Sequence, residues 1–95
     1  MRITEHEKIA IIEAVKTIDG DAKIWLFGSR ADDSKKGGDI DIGVLSLKIN
    51  VMEEIKIKQK IYDEIGEQRI DLVVSKDGGE AFFKYAVTKG IVLYG

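Results

Sequence analysis

Cysteine is absent from this chain, and histidine is reduced to His6. The first absence excludes disulfide scaffolds, thiolate zinc sites and cysteine nucleophiles. The second excludes imidazole-based zinc sites and Ser–His–Asp triads. An excess of one charge is also missing. The net charge is −2 and the isoelectric point about 5.4, so nothing global draws the chain to nucleic acid or an anionic membrane. No apolar run approaches the ~20 residues of a membrane span. The opening Met1-Arg2-Ile3-Thr4 has no signal-peptide character, and a cytoplasmic location is expected. Repeats, low-complexity tracts and Pro/Ser-rich linkers are lacking too, so residues 1–95 read as one domain. With 44% hydrophobic and 34% charged residues the chain is globular rather than disordered. Any chemistry falls to carboxylates, hydroxyls, lysines and backbone amides.

Hydrophobic spacing then lays out the elements. Thr4-Glu5-His6-Glu7 is a capping-box signature, and Ile9, Ile12, Val15 and Ile18 follow at helical spacing until Asp19-Gly20-Asp21. Ala22 to Phe27 is a short apolar run, predicted as a strand buried on both faces and stopped by Gly28-Ser29. Asp32 to Gly38 is polar and loop-like. Asp39 to Leu45 opens with acids alternating with isoleucine, the period of a two-faced strand. Asn50 caps a helix carrying Ile57, Ile61 and Ile65 and stopped by Gly66. Arg69 to Val74 is a strand. A helix capped by Asp77–Glu80 presents Phe82, Tyr85 and Ala86 as its core face, and Ile91–Tyr94 closes the chain as a strand. The expected architecture is α/β (α+β), a small mixed sheet backed by helices.

The chemistry concentrates between Phe27 and Val44 and at Asp71. Gly28-Ser29 after a strand, with Ser29-Arg30-Ala31-Asp32 read as a capping box, suits an anion site of free amides. Taken alone, the same turn reads first as a plain structural cap, since such caps are common. Asp39 and Asp41 project from one strand face, roughly 6.6–6.8 Å apart along the strand. Such a pair repels itself unless a cation is near, and hard divalent ions take carboxylate oxygens together with substrate phosphates. An exposed edge strand with solvated acids, or acids paired with Lys35 and Lys36, would answer the same pattern. Asp71 is a third acid flanked by apolar residues, on a strand that a crossover helix can lay beside the first. It could ligate metal or accept a proton from an attacking hydroxyl.

Gly28-Ser29, nine residues, Asp39-Ile40-Asp41, and Ile70-Asp71-Leu72 together resemble the polymerase β-type nucleotidyltransferase signature. The length and the ending Gly90-Ile91-Val92-Leu93-Tyr94 are similar to the minimal nucleotidyltransferase (MNT) branch. The resemblance implies a polymerase β-like fold and transfer of a nucleoside monophosphate from an NTP, ATP first, to a hydroxyl with two Mg²⁺ ions. It implies that Gly28 and Ser29 hold the triphosphate, with Arg30 a lesser phosphate contact. Asp39 and Asp41 would bind metal, and Asp71 would complete the triad and assist deprotonation of the acceptor. It also implies a small helical HEPN-domain partner, a toxin silenced by adenylylation of a tyrosine or by binding. Asp32 and Asp33 depart from the family pattern beside the phosphate site, with Lys35 and Lys36 placed to offset them.

Two other functions compete. One is a non-catalytic module that masks a helical partner, which gives no reason to keep an acid triad. The other is a small-molecule nucleotidyltransferase acting on an aminoglycoside-like hydroxyl, which needs an attached helical domain. Elsewhere, Lys56, Lys58 and Lys60 read as a solvated, salt-bridged helix surface, Trp25 as core, and Phe82 and Tyr85 as core spacing.

Overall fold

The computed structural model describes residues 1–34 and 38–95. Lys35 and Lys36, considered above as partners for the acids, lie outside the described residues, as does part of the loop expected over 32–38. The elements are α1 (Glu5–Lys16), β1 (Lys23–Phe27), a 3₁₀ turn (Gly28–Ala31), β2 (Ile40–Leu45), α2 (Val51–Ile65), β3 (Ile70–Ser75), α3 (Ala81–Lys89) and β4 (Ile91–Tyr94). The sheet order is β3-β2-β1-β4. β1 runs antiparallel to both β2 and β4, while β2 and β3 are parallel. A mixed sheet of this kind is what the element order predicted, with α2 as the crossover that makes a parallel pair possible. β2 is therefore an inner strand, and the solvated edge-strand alternative for Asp39 and Asp41 falls away.

Both long helices start where the caps require. Thr4 Oγ1 accepts from Glu7 N at 3.0 Å while Glu7 Oε1 accepts from Thr4 N at 2.8 Å. Asn50 and Glu53 repeat the reciprocal pair at the start of α2. Each box satisfies two amides that would otherwise lack partners. The core face of α1 differs from the expected stripe. Ala10, Ile11, Ala14 and Val15 are buried, whereas Ile9 is 50% exposed. Two alanines on that face let the backbone lie close to the sheet, and the helix ends at Lys16, before Ile18.

The sheet has one closed and one partly open face. α1 and α2 cover the first, against Ile24, Leu26, Ile40, Ile42 and Val44, all fully buried. α3 alone crosses the second, and its phase is a correction to the sequence reading. Phe83 and Ala86 are its buried residues, while Phe82 is 54% and Tyr85 62% exposed. The reason is local. Phe83 meets Trp25 edge-on, with centroids 5.6 Å apart, above Gly43, which offers no side chain to displace it. Trp25 is core, as expected. Lys56, Lys58 and Lys60 form no ion pair among the described residues, so that helix surface is solvated but not salt-bridged.

Candidate active site

Alternation along β2 sorts its side chains between the two faces. Ile40, Ile42 and Val44 enter the closed core. Asp41 therefore belongs to the open face, with Asp39 in the segment just before the strand. The parallel register sets Asp41 directly beside Asp71 on β3. Asp41 on β2 and Asp71 on β3 thus lie side by side at one end of the sheet, next to the point where β1 gives way to Gly28, and Asp39, just before β2, is near enough for its charge to act on Asp41.

Their electrostatics are unequal. Asp41 is half-buried, and its pKa is pushed up to about 6, first by burial, then by its hydrogen bond with Asp71 and the charges of Asp71 and Asp39. Neighbouring carboxyls that cannot both ionise cheaply raise each other's pKa in this way. Asp71, expected to be desolvated among apolar neighbours, is instead exposed. β3 is an edge strand, so solvent reaches its outer side. Asp39 leans on a cation: Arg69 Nε lies 3.6 Å from its Oδ1. Among the described residues no three acidic, histidine or cysteine side chains already close round a metal position. The donor set nonetheless suits a hard divalent ion, since all its ligands are carboxylate oxygens crowded beyond their own neutralisation. Asp39, Asp41 and Asp71 are the residues that would hold it.

Gly28 has φ +72°, and a Cβ there would collide with Asp41 Oδ2. The glycine is thus needed to make room for the carboxylate, whatever approaches from outside. Gly38, at φ +90°, stands in the same relation to Ser29 Oγ, a contact that sequence reasoning missed. The Ser29 capping box is not formed. The 3₁₀ turn starts at Gly28 with no side-chain cap, and Asp32 Oδ1 accepts from Ser34 N and Oγ instead. The Ser29 hydroxyl has no hydrogen-bond partner among the described residues.

Arg30 braces the turn. Its Nε donates to Gly38 O at 3.2 Å and its Nη1 to Arg2 O at 3.0 Å. Arg2 returns the link, donating from Nη2 to Ser29 O at 2.9 Å and from its backbone N to Arg30 O at 2.7 Å. Neither Arg2 nor Arg69 was singled out from the sequence. Arg2 carries no local signal, whereas Arg69 stands two residues before Asp71 and could have been weighed with it. The Asp33 carboxylate pairs with the N-terminal ammonium of Met1.

No curated protein matches the chain, whereas seven chains of solved structures do. A chain of a toxin–antitoxin complex with AMP-PNP is 25% identical, with a TM-score of 0.75 over 97% of this chain and 74% of that one. A chain of the tri-AMPylated Shewanella oneidensis HEPN toxin in complex with MNT antitoxin is 25% identical, TM-score 0.70, over 94% and 70%. A chain of a mutant of the toxin–antitoxin pair MntA–HpeT, at 23% identity and TM-score 0.75 over 93% and 73%, shows the shared fold. The family model described as polymerase beta, nucleotidyltransferase matches residues 9–95, and the chain belongs to that family.

Proposed function

We propose that residues 1–95 work as one nucleotidyltransferase domain in the cytoplasm, transferring AMP from ATP to a tyrosine hydroxyl of a helical HEPN-type toxin and so acting as its antitoxin. The observation that carries this reading is the pairing of Asp41 with Asp71 beside Gly28, with the charge of Asp39 close by. The partner class comes from the similar complexes. A purely structural cluster would have provided donors for Asp41 rather than two further acids.

Each group then has a task. The Gly28–Ser29 turn, braced by Arg30 and Arg2, receives the triphosphate, with the Ser29 hydroxyl free to donate. Asp39 and Asp41, with Asp71, hold Mg²⁺, which when bound neutralises charge on the phosphates. Asp71 is exposed at the sheet edge, where an acceptor hydroxyl can reach it. It takes the proton as the hydroxyl oxygen bonds to the α-phosphorus, and the bond to the bridging oxygen breaks in line to release pyrophosphate. Holding these groups in position supplies much of the acceleration.

Incubation with α-labelled ATP, Mg²⁺ and the helical product of the neighbouring gene tests the proposal. Label on that partner, one AMP mass added per site, and loss of both with Asp39→Asn are expected. A partner silenced with no added mass would make the chain a masking module instead.

A further inference from the structure

A cavity of about 560 Å³ lies between the 3₁₀ turn and α3. Its walls include Phe27, Gly28, Phe82, Tyr85 and Lys89. Phe82 and Tyr85, at i and i+3 on α3, are both exposed large apolar side chains. We propose that this cavity is the slot for the nucleoside end of the nucleotide, with Phe82 and Tyr85 as its stacking walls. The inference rests on the nucleotidyl-transfer reading and deepens it.

Three observations converge. The slot is continuous with the phosphate turn, because Gly28 belongs to both. Phe27, its floor, is the register partner of Asp41, so the two Cα atoms are only about 4.5–5.5 Å apart. A nucleotide whose phosphates lie at Asp41 and Gly28 therefore has its remaining part within reach of these rings. The Phe82 ring is also held in place, edge-on to Phe27 with centroids 5.7 Å apart and planes at 78°. A fixed aromatic wall loses little freedom when a base stacks on it.

The rim carries Asp32, Asp33 and Lys89, with the Asp33 carboxylate taken up by the Met1 ammonium. The aromatic walls of the slot suit an uncharged base rather than a phosphate. Stacking alone does not select among purines, so ATP and GTP should both fit.

Calorimetric titration of the full chain with ATP and with inorganic tripolyphosphate, each with Mg²⁺, tests the slot. Wild type should bind ATP at least about tenfold more tightly than tripolyphosphate. Phe82→Ala and Tyr85→Ala should each weaken ATP about tenfold while leaving tripolyphosphate unchanged, and Tyr85→Phe should retain wild-type affinity. Equal binding of the two probes by wild type would overturn the slot and leave the phosphate site standing. Binding of neither probe would overturn the transfer reading and the slot with it. Alanine variants that bind ATP normally but lose the helical partner would make this face a protein-docking surface and refute the proposal.

Discussion

Asp19 and Asp41 sit toward opposite ends of the same sheet, and the fold treats them in opposite ways. Asp19, in the turn after α1, is 5% exposed. It accepts from Ser46 Oγ at 2.6 Å and from Asp21 N at 2.9 Å, with Lys48 Nζ at 3.9 Å. The Ser46 hydrogen bond leads in holding its carboxyl below the usual range, against the opposing effect of burial. Asp41 is less buried, yet its neighbours are acids and its carboxyl is pushed up to about 6. One carboxylate has been given donors and ties the α1–β1 turn to the end of β2. The other has been denied them. Burial alone does not distinguish a structural acid from a functional one; the identity of the neighbours does.

Exchanging the acid for its amide at each end should break this contrast most sharply. Asp41→Asn should lower nucleotidyl transfer at least about a hundredfold, yet raise the melting temperature of the metal-free protein at pH 7, because it removes a crowded charge. Asp19→Asn should destabilise by about 2 kcal/mol and leave transfer intact at temperatures where the variant is folded. Thermal melts beside a transfer assay read both effects.

Titration gives the second contrast. The folded pKa of Asp41 lies above its reference of 3.8, so its contribution to stability is full below about pH 4 and is lost as pH rises through about 6. Asp19 has the opposite sign. Its contribution is present above 3.8 and is lost as pH falls below that value. Metal-free melts from pH 4.5 to 8 should show the Asp41 slope, and Asp41→Asn should remove it. Mg²⁺ should stabilise wild type at pH 7.5 and do so progressively less below pH 6.

Smaller effects sharpen the picture. Ser46→Ala should cost about 1–2 kcal/mol by leaving Asp19 short of a donor, with divalent affinity unchanged in a Mn²⁺ titration. Arg69→Gln should change stability by less than about 1 kcal/mol, because the Arg69 side chain is 88% exposed. It should tighten Mn²⁺ binding a few-fold at low salt, since a competing cation leaves Asp39.

Much of this arrangement was legible in the sequence because its signals are local. The Asp-Ile-Asp-Ile alternation fixes which side chains share a strand face, and the capping boxes of both long helices need only four residues each. What was not legible depends on tertiary contact. Phe82 and Phe83 are adjacent, and either could have led the core face of α3; Trp25 and the bare backbone of Gly43 select Phe83. Gly38 approaches Ser29 only once the strands on either side have paired. Arg2 reaches the site through backbone carbonyls, which no residue pattern marks. The exposure of Asp71 follows from β3 lying at the sheet edge, and strand order is not written in any one strand.

The most direct test of the carboxylate cluster as a cation site is the titration of Asp41 itself, followed by the carboxyl ¹³C shift of the full chain with and without Mg²⁺ and ATP. The expected result is a midpoint near 6 in the free protein, falling below about 4 when Mg²⁺ and ATP are bound. A midpoint near 6 that does not move in saturating Mg²⁺ and ATP would contradict it.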